Sequence, residues 1–375
     1  MKIAILTQPL YFNYGGILQA YALYCALQDL GHEVWIINRV DSYSHGFVYR
    51  SLSTCKIILK ECLNFLLGKT TYSELQLFFA NSQRNTFAFV TEYIQNRSGE
   101  LHSDKELRSF IKKMDFDAYV VGSDQVWRPK YSPNIYTYFL DFSSDNTKKI
   151  SYAASFGVDC WEYSSEETLV CSNLLQKFDA VSVREESAIS LCAEYLNRSD
   201  ARLVLDPTLL HTSDFYLALI RNKNLSVSDR KYLLSYILDI NEEKQNLMNN
   251  INSVLQLPLY AAQEGLLHKN KLATIEEWLY GFANAKFAVI DSFHGCVFAI
   301  IFHVPFIVVA NKERGISRFK SLLSLFHLES RLLLSTEEYS EDMLHYDFCW
   351  DTIDARVREL REQSYNFLLN SLKSC

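Results

Sequence analysis

A histidine and a glycine, His294 and Gly295, follow directly after an apolar run in the second half of the chain. The apolar segment 287–290 predicts a buried strand, and the apolar run 296–303 beyond the polar turn predicts a buried helix. In open α/β sheets ligands bind beyond the carboxyl ends of strands, and the free N–H groups of helix N-termini favour anions. The pattern indicates an anion site with an imidazole at its mouth. The alternative is a turn whose histidine only caps the helix.

Polar residues also follow a predicted strand in the first half of the chain, at residues 118–121. They are Gly122, Ser123, Asp124, Gln125 and Trp127. An acid, an amide and an indole at the carboxyl end of a strand suit a site that hydrogen-bonds to a polar ligand and stacks on it. The alternative is a loop whose aromatic residues simply pack on the domain.

The first predicted βαβ unit supplies a third group of candidates. An apolar strand at residues 2–7 precedes a helix with apolar positions at helical spacing from Ile17, so Asn13, Gly15 and Gly16 lie at a helix N-terminus. The glycines do not match the GxGxxG fingerprint of dinucleotide-binding proteins. They indicate either a close approach of ligand to backbone or only a tight structural turn.

The remaining candidates each follow a predicted strand, and they are Ser155, Arg184, Arg314 and Arg318. Guanidinium groups bind carboxylate and phosphate with bidentate geometry, which favours Arg184 and Arg318 as cations for an anionic ligand. For Arg184 the alternative is a salt bridge with Glu185 or Asp206.

These residues need a scaffold that brings strand ends together. Six predicted strands with interleaved helices occur before residue 211, and the same alternation resumes after about residue 230. Such alternation is typical of doubly wound parallel sheets in the α/β class. We expect two Rossmann-like domains that face each other across a cleft, which is the glycosyltransferase-B arrangement.

The chain divides into two predicted domains. Residues 1–210 form an N-terminal Rossmann-like domain with a helical insertion at about 40–113, and residues 211–350 form a C-terminal Rossmann-like domain that carries the Ser-Phe-His-Gly sequence. From about 211 to 230 the apolar pattern loosens and polar residues accumulate, which indicates a hinge. We expect a C-terminal helix within 351–375 to pack back onto the first domain.

Composition limits the class of protein. The chain has 375 residues, 49% of them hydrophobic and 22% charged, which describes a globular protein large enough for two cores. A formal net charge of −7 without a long basic run argues against nucleic acid as the main partner. The nine cysteines form no CxxC pair, no apolar stretch reaches the length of a membrane span, and the first residues do not resemble a signal peptide. We therefore expect reduced thiols in a cytoplasmic protein without a transmembrane segment.

Six motifs resemble, in the same order, those of the polysaccharide pyruvyl transferase family. They are NYGGILQAYAL (13–23), VVGSDQVWRP (120–129), ISYAASFG (150–157), VSVREES (181–187), LVLDPTLL (203–210) and VIDSFHGCVFAIIF (289–302). Each motif alone is weak, but six in series are specific. The helical insertion and the C-terminal segment carry none of them.

This resemblance implies a transferase of glycosyltransferase-B-like fold that places the pyruvyl group of phosphoenolpyruvate on a sugar of a growing surface polysaccharide. Phosphoenolpyruvate is then a donor substrate, and the chemistry demands neither a cofactor nor a metal. The acceptor is a sugar or a lipid-linked oligosaccharide, which would bring the protein to the inner face of the membrane.

The resemblance also implies roles for individual residues. Family members commonly hold phosphoenolpyruvate with a histidine at the position of His294 and with arginines near it. Some carry an arginine where this chain has Ser292, so Arg184, Arg314 or Arg318 would compensate for it.

Ketal formation requires cations for two anionic groups, a proton donor and a base. A histidine beside anions is favoured in its charged form, so His294 is the candidate general acid. Asp124 is the candidate contact for an acceptor hydroxyl, either as base or as a purely structural carboxylate.

Two other functions are compatible with the same fold. One is a glycosyltransferase-B-type transferase that uses a nucleotide-sugar donor, because a fold does not determine the donor. The other is a non-catalytic family member that binds glycan.

Overall fold

The computed structural model describes residues 1–11, 13–40, 85–227, 230–263, 272–310 and 315–373. Within them the chain forms two parallel β-sheets, one in each half of the sequence, with helices interleaved between the strands. The expectation of two Rossmann-like, doubly wound α/β domains is confirmed.

The first sheet has six strands. They are β1 (Lys2–Leu6), β2 (Glu33–Ile37), β3 (Ala118–Val121), β4 (Lys148–Ala154), β5 (Ala180–Val183) and β6 (Arg202–Leu203). They lie in the order β2-β1-β3-β4-β5-β6, and every neighbouring pair is parallel. Because the strand order reverses between β1 and β3, the loops after these two strands open a crevice at the carboxyl edge of the sheet.

The described helices of the first half are α1 (Tyr14–Asp29), α2 (Asp104–Met114), α3 (Ser165–Leu175) and α4 (Glu186–Tyr195). Of the predicted insertion at 40–113, residues 41–84 lie outside the described residues. The described remainder contains helical residues 85–93 and most of α2, together with isolated parallel bridges from residues 97 and 101 to the edge of β2 and the segment after it.

The second sheet has five strands in the order β11-β10-β9-β7-β8, all parallel. They are β7 (Tyr232–Tyr236), β8 (Leu259–Ala261), β9 (Ala285–Ile290), β10 (Phe306–Val309) and β11 (Leu332–Leu333). The described helices of this half are α5 (Ser213–Asn222), α6 (Glu242–Leu255), α7 (Ile275–Ala283), α8 (Phe293–Ile301), α9 (Ser317–Ser324) and α10 (Trp350–Leu372). Short 3₁₀ turns occur at Pro129–Tyr131, Ile135–Phe139, Pro207–Leu210, Glu329–Arg331, Thr336–Glu338 and Glu341–His345.

Helix α5 occupies much of the segment 211–230 that the loosened pattern indicated as a hinge. Its buried face consists of Tyr216, Leu219 and Ile220, and the Tyr216 ring packs edge-on against Phe298 at 4.9 Å. The helix is amphipathic, so its polar face produced the loss of apolar pattern that suggested a linker.

Helix α10 packs back onto the first sheet, as expected for the C-terminal helix. The hydroxyl of Ser364 accepts a hydrogen bond from the backbone N–H of Leu205 at 3.0 Å, and the ring of Phe367 lies 6.4 Å from that of Tyr152. The boundary between domains at residue 211 stays a prediction.

The two halves are in direct contact at the carboxyl edges of their sheets. Tyr14, the first residue of α1, stacks on Trp278 of α7 with 5.8 Å between ring centres, and its hydroxyl donates to the carbonyl of Ala273 at 2.8 Å. Buried apolar residues from both halves form one continuous cluster around this contact. Within the described part of the chain, no helix is both long and apolar enough to cross a bilayer.

Candidate active site

The carboxylate of Asp206 joins the two halves of the chain. Its Oδ2 accepts hydrogen bonds from Arg184 Nη1 at 2.9 Å and from Ser123 Oγ at 3.0 Å, both in the first half. In the second half, Nε2 of His294 lies 3.5 Å from the same oxygen, which is an ion-pair distance without hydrogen-bond geometry. The predicted imidazole and guanidinium therefore meet at one carboxylate oxygen.

Asp206 is fixed by the turn that it begins. Its Oδ1 accepts hydrogen bonds from the backbone N–H of Thr208 at 3.1 Å and from the Thr208 hydroxyl at 2.7 Å, which caps the 3₁₀ turn Pro207–Leu210. Burial alone would raise the pKa of this carboxyl, but His294, Arg184 and Thr208 together hold it well below its usual range. The carboxylate is therefore ionised in spite of its burial.

Sequence reasoning considered Asp206 only as a salt-bridge partner and missed its central position. The available signal was an acid followed by proline and threonine at a strand end, a sequence that predicts a capped turn rather than a site.

The imidazole of His294 is held by the start of α8. Ser292 is the N-cap residue of this helix, and its hydroxyl accepts from the N–H of Gly295 at 3.5 Å. A Cβ atom at Gly15, at the start of α1, would collide with the imidazole, so the glycine allows the two helix N-termini to meet. A Cβ atom at Gly295 would lie 2.7 Å from the Ile290 side chain, so helix and strand also require a glycine there.

Asn13 acts as the N-cap residue of α1. Its Oδ1 accepts from the N–H of Gly16 at 3.1 Å, while its Nδ2 donates to Asp124 Oδ2 at 3.4 Å. The tight structural turn, one of the two alternatives from the sequence, is therefore present. Asn13 also links this turn to the loop after β3. A contact with ligand stays a prediction.

Arg184 makes the salt bridges that were the alternative to an anion contact. Besides its bond to Asp206, its Nη2 donates to Asp124 Oδ1 at 3.3 Å, and its Nε lies 3.8 Å from Glu185 Oε2. The guanidinium carbon lies 4.4 Å from the centre of the Phe293 ring, within cation–π range. Only 3% of Arg184 is exposed, so these partners restrict how a ligand can contact its guanidinium group.

Arg318 adds a second buried guanidinium to this place. It lies on α9 in the second half, and its guanidinium carbon is 5.7 Å from the same Phe293 ring. Burial and the neighbouring Arg184 lower the pKa of Arg318 to about 10. The third predicted arginine, Arg314, lies outside the described residues.

Asp124 occupies a strained position in the loop after β3. Its φ of 73° is in the left-handed region, and its Oδ1 accepts from the backbone N–H of Gln125 at 2.9 Å. Ser123 beside it is fully buried against Asp206. Gly122 is the first residue of this loop. A Cβ atom at Gly122 would lie only 3.3 Å from the side chains of Ile5 in β1 and Thr7 just after it, so a larger residue would fit there poorly.

The prediction that Trp127 stacks on a ligand is wrong. The indole is fully buried, stacks on Phe139 at 5.2 Å, and donates its N–H to the carbonyl of Tyr138 at 3.0 Å. Trp127 therefore fits the alternative, which was a loop whose aromatic residues pack on the domain.

Gln125 and Ser155 contact other loop residues at the carboxyl edge of the first sheet. Gln125 Oε1 accepts from Arg128 Nη1 at 3.2 Å, and the hydroxyl of Ser155 donates to Glu185 Oε1 at 2.8 Å. Their predicted contacts with ligand are untested.

Glu185 is a second residue that sequence reasoning passed over. The same Oε1 also accepts from the backbone N–H groups of Phe156 and Gly157, at 3.0 and 3.2 Å, so this carboxylate shapes the loop after β4. Burial raises its pKa. The other oxygen, Oε2, is buried without a hydrogen-bond partner. Sequence alone gave only an acid next to the candidate arginine.

The family model described as polysaccharide pyruvyl transferase matches residues 13–313. No curated protein sequence matches the chain significantly. Among solved structures, the UDP-GlcNAc 2-epimerase of Neisseria meningitidis has a TM-score of 0.56 at 8% identity, covering 99% of each chain. That of Methanocaldococcus jannaschii has a TM-score of 0.53 at 14% identity, covering 97% of this chain and 100% of the other. Identities this low show a shared fold, the glycosyltransferase-B architecture.

Proposed function

Because the chain belongs to the polysaccharide pyruvyl transferase family, we propose that it transfers the pyruvyl group of phosphoenolpyruvate to a sugar of a surface polysaccharide precursor. The observation that supports this most directly is the meeting of His294 and Arg184 at Asp206 Oδ2. A proton donor and a cation from different halves of the chain are what a buried anionic donor requires.

In the proposed reaction the central carbon of phosphoenolpyruvate becomes bonded to two hydroxyl oxygens of the acceptor. A proton adds to the methylene carbon of phosphoenolpyruvate, and an acceptor oxygen bonds to the central carbon and gives its proton to a base. A second acceptor oxygen then bonds to that carbon while the bond to the phosphate oxygen breaks. One donor and one sugar diol yield one pyruvate ketal and one phosphate, with one hydroxyl proton in the new methyl group and the other on phosphate.

Each step has a candidate residue. His294 supplies the proton to the methylene carbon, a role typically worth about 10²–10⁴-fold in rate. Arg184 and Arg318, which share the Phe293 ring, supply positive charge for the carboxylate and phosphate. Asp124 accepts the proton of the acceptor hydroxyl.

Donor entry requires a change in this arrangement. His294 is 5% exposed and Arg184 3% exposed, so the loops of the two sheets must separate to admit a three-carbon anion. Separation moves His294 away from Asp206, which leaves the imidazole available to the donor.

We place the reaction in the cytoplasm. The acceptor is a sugar or a lipid-linked oligosaccharide, and in the second case the protein works at the inner face of the membrane. Mass spectrometry of the surface glycan from cells with and without the protein tests whether the protein adds pyruvate to that glycan. A sugar residue that lacks the pyruvate mass increment in the deletion strain is expected, and identical glycans in the two strains would refute it.

Ligand-dependent melting discriminates the donor. A ligand at a hundredfold excess over its dissociation constant stabilises the folded state by about 2.7 kcal/mol. We expect phosphoenolpyruvate to raise the melting temperature and nucleotide-diphosphate sugars to leave it unchanged. The reverse result would identify a nucleotide-sugar transferase, and no response to either donor together with glycan binding would identify a non-catalytic member.

A further inference from the structure

Three polar residues of α10 fall on one face of the helix. They are Asp354, Arg361 and Ser364, and their spacings of seven and three residues bring them into line on a period of 3.6 residues. Each of them bonds to a group outside the helix. Helix α10 lies beyond the residues 13–313 that match the family model, so the match assigns this face no role.

Ser364 holds the chain directly before Asp206. Its hydroxyl donates to the carbonyl of Leu360 at 2.7 Å within the helix and accepts from the backbone N–H of Leu205 at 3.0 Å. Only 1% of Ser364 is exposed, so water does not compete for this contact. The hydroxyl of Tyr152, in β4, donates to the carbonyl of Leu205 at 3.0 Å, so both backbone groups of this residue are fixed.

Arg361 holds the chain after Asp206. Its Nε donates to the carbonyl of Leu209 at 2.8 Å, and its Nη2 donates to the carbonyl of His211 at 3.0 Å. A tyrosine hydroxyl of α5 donates to the carbonyl of Thr208 at 2.8 Å. Because the anchors in β4 and α5 remain when Arg361 is replaced, its loss should displace the turn that Asp206 begins without unfolding it.

The start of α10 is fixed to the helix that carries His294. His294 lies in the first turn of α8, and His303 follows the end of that helix. Oδ1 of Asp354 lies 2.8 Å from Nε2 of His303, and the ring of Trp350 stacks on the ring of His303 with 4.9 Å between their centres. Asp354 and Arg361 are about 10 Å apart along the helix axis. One rigid helix therefore connects the end of α8 to the turn of Asp206.

We propose that Arg361 and Ser364 are positioning residues of the active site, which set Asp206 at its observed distance of 3.5 Å from His294. Both residues act through the backbone on either side of Asp206. Helix α10 is the common support, because its start is fixed to the helix of His294 and its middle to the turn of Asp206. The inference rests on the proposed function only in giving His294 a catalytic role.

The test compares three arginine variants of the full chain by two readouts that need no substrate. Arg361→Ala removes the anchor, and Arg356→Ala is the matched control on the same helix, because Arg356 pairs with Glu359 at the surface at 2.7 Å. Arg198→Ala controls for a general loss of stability. Arg198 donates to the carbonyl of Leu175 at 2.9 Å, and it lies in the loop before β6, at the edge of the sheet opposite the site.

The first readout is a double-mutant cycle with Asp206→Asn, measured by urea denaturation. Residues that act through one another are coupled, whereas the effects of distant, independent residues add. We expect Asp206→Asn to lower the urea midpoint at most half as much in Arg361→Ala as in wild type. In Arg356→Ala and Arg198→Ala it should lower the midpoint by the full wild-type amount.

The second readout is the NMR signal of the His294 ring in protein labelled with ¹⁵N at histidine, identified by its absence in His294→Ala. A displaced Asp206 changes the electrostatic environment of this ring, so the signal should shift in Arg361→Ala and keep its wild-type position in both controls. Arg361→Lys keeps the charge and a donor, so it should show both effects to a smaller extent. It provides the same comparisons if Arg361→Ala does not fold.

The positioning role is refuted if the effects of Arg361→Ala and Asp206→Asn add, or if the His294 signal does not shift in Arg361→Ala. A shift of the same size in Arg198→Ala would show general loosening and would equally overturn it. The proposed function is judged separately, by thermal shift of the wild-type protein with phosphoenolpyruvate. No response to phosphoenolpyruvate, together with coupling and a shifted signal, refutes pyruvyl transfer and keeps the positioning role. A response to phosphoenolpyruvate with additive effects does the reverse.

Discussion

Replacement of Asp206 by asparagine tests the junction between the two halves most directly. The amide keeps the shape of the side chain, and its oxygen still accepts from Thr208, but the nitrogen then faces Arg184 Nη1, which is also a donor. Removing one partner of a buried ion pair typically costs about 3–5 kcal/mol. Arg184 keeps Asp124 at 3.3 Å, so we expect the lower end, about 3 kcal/mol, at neutral pH.

The pH dependence of this loss has a definite sign. The folded-state pKa of Asp206 lies well below its usual range, so its contribution is complete above the unfolded pKa and falls as the pH drops toward the folded one. The unfolded value is about 3.9, and each pH unit below it should reduce the difference between wild type and Asp206→Asn by about 1.4 kcal/mol.

Urea denaturation at several pH values measures both effects, since urea leaves electrostatic interactions unscreened. The control is Asp145→Asn, because Asp145 is exposed and pairs with Lys177 at the surface. Its urea midpoint should match that of wild type. Equal midpoints for Asp206→Asn and Asp145→Asn at pH 7 would refute the assignment of Asp206 as the junction. A difference that does not shrink below pH 4 would refute the electrostatic explanation.

Three further substitutions test the proposed chemistry. His294→Ala should abolish acceptor-dependent phosphate release from phosphoenolpyruvate while the circular dichroism spectrum is retained, and near-normal turnover would remove His294 from the mechanism. Arg184→Ala should weaken phosphoenolpyruvate binding in a thermal-shift titration, and an unchanged affinity would make this arginine purely structural. Gly15→Ala should lower turnover by about tenfold or more, because its Cβ displaces the imidazole and small misplacements of catalytic groups are that costly. Gly99→Ala, where a Cβ meets no atom within 4 Å, should behave like wild type.

Much of the fold follows from local pattern. The bounds of β5 and β10 agree with the short, mostly apolar segments Ala180–Val183 and Phe306–Val309, because both strands are buried in the sheet. Since parallel strands expose their carboxyl ends at one edge, Asp124 and Arg184 could be placed at the same edge from sequence alone. Helix α5 was missed because its short apolar stripe is interrupted by polar residues of its exposed face.

The partners within the site could not be predicted in the same way. Nothing local to Asp206 indicates that Arg184 and His294 share its Oδ2, because that contact depends on how the two sheets pack. The side of the loop that Trp127 faces is likewise decided by Phe139, twelve residues later in the chain. The sequence therefore predicted which loops form the site. It could not predict which charged groups pair within them, because that depends on how the two halves of the chain pack together.

The balance of these charges constrains how a donor can bind. Three buried carboxylates (Asp124, Asp206 and Glu185) face two guanidinium groups (Arg184 and Arg318), so these five groups have no surplus of positive charge. Phosphoenolpyruvate adds a carboxylate and a phosphate to this buried cluster. Uncompensated charge is expensive there, so binding must be accompanied by proton uptake.

Glu185 is our candidate for that proton, because burial raises its pKa and the donor's negative charge raises it further. Titration calorimetry near neutral pH, in buffers with different ionisation enthalpies, measures the number of protons taken up. We expect a net uptake in the wild-type protein and a smaller one in Glu185→Gln, where the acceptor is already neutral. A binding enthalpy that is independent of the buffer would mean that positive charge outside this cluster compensates the donor, and the assignment of the donor to these guanidinium groups would then fail.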